Sequence, residues 1–136
     1  MSFLVDTDLL SLLERKRVPS KLAVWVEDHE SDIFLSVVSF AELEFGLLHA
    51  PTAHQPGLRA WLSDTRQKFA PAMEELTEPV LVRWKGLLAD LKSKNRTMTC
   101  EDSLIAATAL FHGHTVATHN RRHFEPSGVP VIDPLD

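Results

Sequence analysis

The stretch that decides the fold reads Phe3-Leu4-Val5-Asp6-Thr7-Asp8-Leu9-Leu10. Three consecutive apolar residues ended by an acid are typical of a short buried strand rather than of a helix. The leucines that follow recur at helical spacing, which predicts a helix directly after the strand. The acids therefore stand where a strand passes into a helix.

The rest of the chain continues this alternation of strands and helices. Four further short apolar runs predict strands at residues 33–37, 72–76, 116–118 and 129–132. Helical patterns fall between them at residues 39–49, 54–69, 79–94 and 99–112, and Gly113 is the expected end of the last one. Such an alternation predicts a mostly parallel sheet covered on both faces. Because no repeat or linker divides the chain, we expect one three-layer α/β/α domain spanning residues 1–136.

Composition limits the classes of function. The 44% hydrophobic and 24% charged content is that of a globular protein. The single cysteine, Cys100, cannot form an internal disulfide, and no signal peptide or stretch of roughly 20 apolar residues is present, so we expect a cytoplasmic protein without membrane segments. The net charge of -5 argues against a passive nucleic-acid coat. This net charge is compatible with an enzyme whose active site is bordered by basic side chains. Arg121 and Arg122 are candidates for that border.

Three acids occupy equivalent places in this plan. Asp6 ends a strand, whereas Glu42 and Asp102 close the capping-box patterns of residues 39–42 and 99–102, in the first turns of two predicted helices. The carboxyl ends of parallel strands form the crevice in which α/β proteins bind ligands. Hard divalent cations such as Mg²⁺ prefer oxygen ligands, so the three carboxylates are candidates for a metal site. A purely structural role as helix caps is the alternative for each acid.

Four segments carry a resemblance to a known family. They are Phe3-Leu4-Val5-Asp6-Thr7-Asp8-Leu9-Leu10, Ser36-Val37-Val38-Ser39-Phe40-Ala41-Glu42-Leu43-Glu44-Phe45-Gly46, Glu101-Asp102-Ser103-Leu104-Ile105-Ala106-Ala107-Thr108-Ala109 and Thr118-His119-Asn120-Arg121-Arg122-His123-Phe124. In order and spacing they resemble the four motifs of PIN-domain nucleases, over nearly the whole chain. Within that family the chain looks closest to the VapC-type toxins of toxin–antitoxin pairs.

The resemblance implies an Mg²⁺- or Mn²⁺-dependent endoribonuclease toxin that forms a homodimer and is neutralised by a VapB-type antitoxin. Asp6 and Asp102 would bind the metal, and Glu42 would be a ligand or the base that activates water. Hydrogen-bonding support would come from Thr7, Thr118 and Asn120. The substrate would be single-stranded or loop RNA such as tRNA, because proteins gain access to unstacked bases there, with Arg121 and Arg122 on its phosphates.

The fourth motif departs from the family pattern. Relatives often carry an acid just before the closing Phe, where this chain has His123, and often Arg where it has His119. With Asn120 in place of Asp, the motif contains no acid, which argues against a second metal ion. A histidine beside the site leads to the hypothesis that activity depends on pH between about 5.5 and 7.5.

Three other interpretations compete. Asp6 and Asp8 could be the nucleophile and the acid/base of a haloacid-dehalogenase-like phosphatase, although no flexible glycine or later Asp-Asp pair accompanies them. A PIN-like fold with a weakened site could act as a binding scaffold. The pairs His112 with His114, and His119 with His123, could bind a transition metal, but surface histidines and a loop at residues 119–123 are the stronger expectation.

Overall fold

A parallel sheet forms the middle layer of the computed structural model, which describes residues 1–136. The strands are β1 (Phe3–Val5), β2 (Ile33–Ser36), β3 (Met73–Glu74), β4 (Thr115–Ala117) and β5 (Val131–Ile132). Their order across the sheet is β3-β2-β1-β4-β5, and every pairing is parallel. All five sequence-predicted strands are present: β1 has its predicted bounds, β4 begins and ends one residue earlier, and β2, β3 and β5 are one to three residues shorter than predicted. The prediction of a mostly parallel sheet is confirmed.

Seven α-helices connect and cover the strands. They are α1 (Thr7–Leu12), α2 (Ser20–His29), α3 (Val37–Leu48), α4 (Gln55–Lys68), α5 (Glu78–Ser93), α6 (Cys100–His112) and α7 (Arg121–Phe124). The end of α6 is fixed by Gly113, whose φ of 75° lies in the left-handed region that glycine adopts without strain. None of these helices combines the length and apolarity that crossing a membrane requires.

Two apolar cores lie on opposite faces of the sheet. Because successive side chains of a strand point to opposite faces, Phe3 and Val5 enter one core while Leu4 enters the other. Helix α6 packs closely on the second face through small residues such as Ala106 and Ala107, which are fully buried. The three-layer α/β/α architecture predicted from the sequence is confirmed.

Two local predictions are wrong. Helix α3 begins at Val37, not at Ser39, because Ser36 directly follows β2 and its hydroxyl caps the helix by accepting from the backbone N–H of Val38 at 3.0 Å. Glu42 therefore lies in the second turn and has no capping role. The segment predicted as a loop before Phe124 forms the short helix α7 instead.

The order of the strands creates a crevice at the carboxyl end of β1. The chain moves outward from β1 to β2 and β3, and then returns to β1's other side with β4 and β5. At such a switch point the connections on either side of the central strand diverge and leave space for a ligand. Asp6 follows β1 and Thr118 follows β4, so both lie at this crevice.

Candidate active site

Asp6 is the most deeply buried acid of the site, at 4% exposure. Its Oδ1 accepts from the backbone N–H of Leu9 at 2.8 Å, which caps α1, and its Oδ2 accepts from the Thr118 hydroxyl at 2.5 Å. Burial raises the pKa of Asp6 to about 6; the two hydrogen bonds oppose the rise, and the charges of Asp8 and Asp102 add to it. The carboxylate is thus held in place but costly to ionise.

Glu42 reaches the crevice from the second turn of α3. The Thr7 hydroxyl donates to its Oε1 at 2.8 Å, and the hydroxyl of Ser39 lies 2.9 Å from that of Thr7. Because Thr7 has one proton and gives it to Glu42, Ser39 acts as the donor to Thr7. Partial desolvation raises the pKa of Glu42 despite this hydrogen bond, with further contributions from the acids Glu101, Asp102 and Asp8.

Asp102 lies in the first turn of α6. Thr99 caps this helix by accepting from the backbone N–H of Asp102 at 3.1 Å, so the capping pattern predicted for residues 99–102 is half realised. Burial raises the pKa of Asp102, whereas Thr99 and His123 lower it. The His123 Nδ1 atom is 3.6 Å from Asp102 Oδ2, too far for a hydrogen bond but close enough for charge attraction.

These side chains surround one small cavity of about 210 Å³. Its lining contains five carboxylates and one imidazole and no hydrophobic residue; the acids are Asp6, Asp8, Glu42, Glu101 and Asp102. The structure thus brings together the three acids predicted from the sequence. It adds Asp8 and Glu101, which sequence reasoning did not assign to this site. The available signal was their position, since each lies in the first turn of a helix that begins at the same edge of the sheet.

The donor set fits a hard divalent cation. Carboxylate oxygens dominate the cavity, and its lining contains no lysine or arginine. Burial, with the neighbouring acids, raises the pKa of Asp6, Glu42 and Asp102. No group of three or more acidic, histidine or cysteine side chains is so disposed that protein ligands alone would hold an ion. Mg²⁺ does not require this, because it retains several waters and is usually bound through one or two carboxylates.

Two of the three polar residues predicted to support the site, Thr7 and Thr118, contact a predicted acid, whereas Asn120 contacts Asp8. Thr118 is fully buried and contacts Asp6, while its oxygen also accepts from the backbone N–H of Asn120 at 2.9 Å. The side-chain amide of Asn120 donates to Asp8 Oδ2 at 3.1 Å. Three different carboxylates, those of Glu42, Asp6 and Asp8, are therefore held by hydrogen bonds from Thr7, Thr118 and Asn120, respectively.

Two larger cavities adjoin the acidic one. The first, of about 660 Å³, is lined by α7 and the residues around it, including His119, Arg121 and Arg122. The second, of about 390 Å³, lies between α7 and the start of α6. Arg122 lines the two larger cavities. His123 lines all three cavities, including the acidic one. Arg121 is 3.4 Å from Asp136 at the rim.

Neither histidine pair considered above belongs to a group of three or more side chains disposed to hold a metal ion. His119 Nδ1 lies 2.9 Å from the buried carboxylate of Asp133, whereas His123 Nδ1 lies 3.6 Å from Asp102. His112 and His114 both approach Glu74 Oε2, at 2.7 and 3.4 Å. The expectation of a surface histidine is wrong for His114, which is only 6% exposed and stacks on Phe34.

Comparison with known proteins agrees with this geometry. The PIN-domain family model matches residues 3–128. The chain is 28% identical over 139 residues to VapC ribonuclease Y4jK of Sinorhizobium fredii, covering 97% of this chain and 96% of the relative. It is 31% identical over 98 residues to ribonuclease VapC4 of Mycobacterium tuberculosis, covering 72% and 74%. The FitAcB structure from Neisseria gonorrhoeae superposes with a TM-score of 0.88 at 27% identity, covering 97% of each chain.

The chain therefore belongs to the PIN-domain family. Within that family it belongs with the VapC-type proteins, as its relatives show. The phosphatase interpretation of Asp6 and Asp8 is not favoured, because a single family accounts for the fold and for the positions of the acids together.

Proposed function

We propose that this chain, as one nuclease domain spanning residues 1–136, is a divalent-metal-dependent endoribonuclease that acts as the toxin of a toxin–antitoxin pair. One observation carries the proposal: acids from three separated segments line one cavity at the strand switch point, and their pKa values are raised. A site of this kind is stabilised by a cation. An RNA substrate and an unpaired Cys100 both suit a cytoplasmic place of action.

Asp6 and Asp102 would bind the cation, which is Mg²⁺ or Mn²⁺, with Glu42 beside it. When bound, the cation would lower the pKa of a coordinated water and offset the charge of the phosphodiester. The raised pKa of Glu42 makes it a stronger base than an ordinary glutamate, which suits a group that takes a proton from the attacking water. Thr7 fixes the direction of the Glu42 carboxylate, and Thr118 does the same for Asp6.

The RNA path would continue from the acidic cavity over α7. His123 lines all three cavities, so the acidic site and the basic region share one surface. Arg122 is exposed and Arg121 is only loosely paired, and both can turn towards backbone phosphates. A path this open suits single-stranded or loop RNA, and tRNA is a substrate of that kind.

The same acidic cavity would serve inhibition by a partner protein. A small VapB-type antitoxin could insert an arginine, whose planar guanidinium pairs with carboxylates through two hydrogen bonds. The inserted guanidinium would supply positive charge to the acidic cavity and would exclude the metal. We also propose that the active form is a homodimer, as the resemblance to VapC-type toxins implies.

Cleavage of a mixed RNA pool tests the proposed activity. Purified protein, with Mg²⁺, with Mn²⁺ or with EDTA, is compared with Asp102→Asn and with Asp64→Asn, which removes an exposed acid on α4. We expect metal-dependent cutting by the wild type and by Asp64→Asn, and none by Asp102→Asn. If folded wild-type protein cuts no RNA with either metal but still binds RNA, the chain is a binding scaffold and the proposed activity is wrong.

A further inference from the structure

We infer that Asp8 is a metal-binding carboxylate of this site, and that Asn120 positions it. This inference rests on the proposed function and extends it, because it identifies a residue of the metal site beyond Asp6, Glu42 and Asp102. Asp8 lies in the first turn of α1 and lines the same cavity as those three acids.

The cavity places Asp8 among the carboxylates that would surround the cation. Asp8 lines it together with Asp6, Glu42 and Asp102, and no hydrophobic residue lies in that lining. A carboxylate within such a cluster either repels its neighbours or shares a cation with them.

A contact from a distant segment holds Asp8 in this position. The amide of Asn120 donates to Asp8 Oδ2 at 3.1 Å, across 112 residues of sequence. This leaves Oδ1 free, and the backbone N–H of Asn120 is itself bound to Thr118, which contacts Asp6. Asn120 thereby connects Asp8 to the carboxylate at the end of β1, in the manner of residues that orient metal ligands from behind.

The simpler role for Asp8 is to favour the N-terminus of α1 through the helix dipole. That role would be complete without Asn120 and would not depend on the other acids. The two roles differ in what they predict for metal binding. An acid that acts only on the helix changes stability without metal and leaves metal affinity unchanged.

Titration with Mn²⁺, followed by electron paramagnetic resonance, measures the affinity directly. Loss of a residue that orients a metal ligand typically costs about 10–100-fold in affinity, so we expect Asn120→Ala to weaken Mn²⁺ binding about 10-fold and Asp8→Asn at least as much. The matched control is Glu101→Gln, which removes a second exposed first-turn acid from the same cavity and should change affinity less than Asp8→Asn. The double variant Asp8→Asn, Asn120→Ala should bind no more weakly than Asp8→Asn alone, because Asn120 acts through Asp8.

Each result bears on the inference. If Asp8→Asn binds Mn²⁺ as the wild type does, while the wild type cleaves RNA in a manner that needs Asp102, the inference is wrong and the proposed function stands. If the folded wild type neither binds Mn²⁺ nor cleaves RNA, both are wrong. Thermal unfolding in EDTA shows that each variant is folded and reports any helix-dipole effect separately.

Discussion

The Thr118 hydroxyl donates to Asp6 Oδ2 at 2.5 Å and so joins the ends of the two neighbouring strands β4 and β1. Both residues are buried, so water does not compete for this bond. A hydrogen bond to a charged group in such surroundings has a large effect on where the carboxylate points and on its pKa.

Replacement of Thr118 by Val keeps the shape of the side chain and removes the hydroxyl. We expect the free energy of unfolding at pH 7.5 to fall by about 1.5–3 kcal/mol, because Asp6 loses its partner while it remains buried. Urea denaturation measures the change. Thr118→Ser, which retains the hydroxyl, should lose clearly less; an equal loss in the two variants would show that the methyl group matters and the hydrogen bond does not.

Replacement of Asp6 by Asn should stabilise the protein at pH 7.5 while it abolishes cleavage. The pKa of Asp6 is about 6 in the folded protein and 3.8 in the reference state, so the folded state binds more protons between these values, and stability falls as pH rises through this range. A rise of about two pH units corresponds to about 3 kcal/mol as an upper limit, since one unit is about 1.4 kcal/mol. Asn caps helices as well as Asp does, so the cap is retained.

Urea denaturation in EDTA at pH 7.5 and at pH 4 tests this prediction. The advantage of Asp6→Asn should be largest at pH 7.5 and should nearly vanish at pH 4, where Asp6 is mostly protonated in the folded state. An Asn variant that is less stable than the wild type at both values would show that Asp6 is not under electrostatic strain.

Mn²⁺ or Mg²⁺ should raise the melting temperature more at pH 7.5 than at pH 5. The pKa values of Asp6, Glu42 and Asp102 are all raised, so protons compete with the metal as the pH falls. At 100 times the dissociation constant, ligand binding stabilises the folded state by about 2.7 kcal/mol. Differential scanning fluorimetry measures the shift, and Asp102→Asn is the control that should show little of it. A shift that is the same at both pH values would contradict ligation by these acids.

His114 should make the protein less stable in acid. Burial lowers the pKa of His114 against the opposing effect of Glu74, and His112 adds to the lowering. The unfolded state then binds more protons just below pH 6.5, so this contribution to stability falls as the pH drops through that range. We therefore expect the stability difference between the wild type and His114→Gln to shrink from pH 7.5 to pH 5.5 in urea denaturation.

The surroundings of His114 set the control for that experiment. Ser2 Oγ lies 2.6 Å from His114 Nδ1, and Glu74 faces Nε2, so each ring nitrogen has a polar neighbour. His112→Gln removes the more exposed histidine of this group and should leave the pH dependence largely in place. If the stability difference between the wild type and His114→Gln grows in acid, the pKa of His114 is raised and not lowered, and the prediction is wrong.

Arg122→Ala should weaken RNA binding and make it less sensitive to salt. Each phosphate contact that is lost lowers the salt slope of binding by about one. Fluorescence anisotropy with single-stranded RNA and the non-cleaving Asp102→Asn background separates binding from cutting. Arg59→Ala, on the exposed side of α4, is the matched control and should bind as the parent does. If Arg122→Ala binds RNA with the same affinity and the same salt dependence as the parent, Arg122 does not contact the RNA.

Much of the fold follows from the sequence because its elements are short and well separated. Buried parallel strands are continuous apolar runs, so Phe3-Leu4-Val5 and the other four segments were recognisable without tertiary information. The helix end at Gly113 was equally clear, because a residue with φ of 75° at that place is nearly always glycine. Asp6 follows a strand and Asp102 lies at a helix start, while Glu42 lies one turn into the helix that follows β2, and parallel strands place these ends on one edge.

The remaining features depend on contacts between residues that lie far apart in the sequence, so local sequence patterns do not reveal them. Ser36 and Ser39 are both good caps, and only the end of β2 decides between them. The burial of His114 depends on Phe34 and Glu74, which come from other strands. The sequence places Asp8 in the first motif, but its contact with Asn120, which approaches from the far end of the chain, is visible only in the structure.

The position of β1 in the middle of the sheet has a consequence for biosynthesis. Asp6 leaves the ribosome early, but Thr118, its hydrogen-bond partner, is made 112 residues later. At about 5–20 residues per second, the wait is on the order of ten seconds. Strand β4 also has to pair with β1 before the crevice exists. A nascent or truncated chain that ends before β4 therefore carries Asp6 and Glu42 without the pocket, and the site is complete only after β4 has been made.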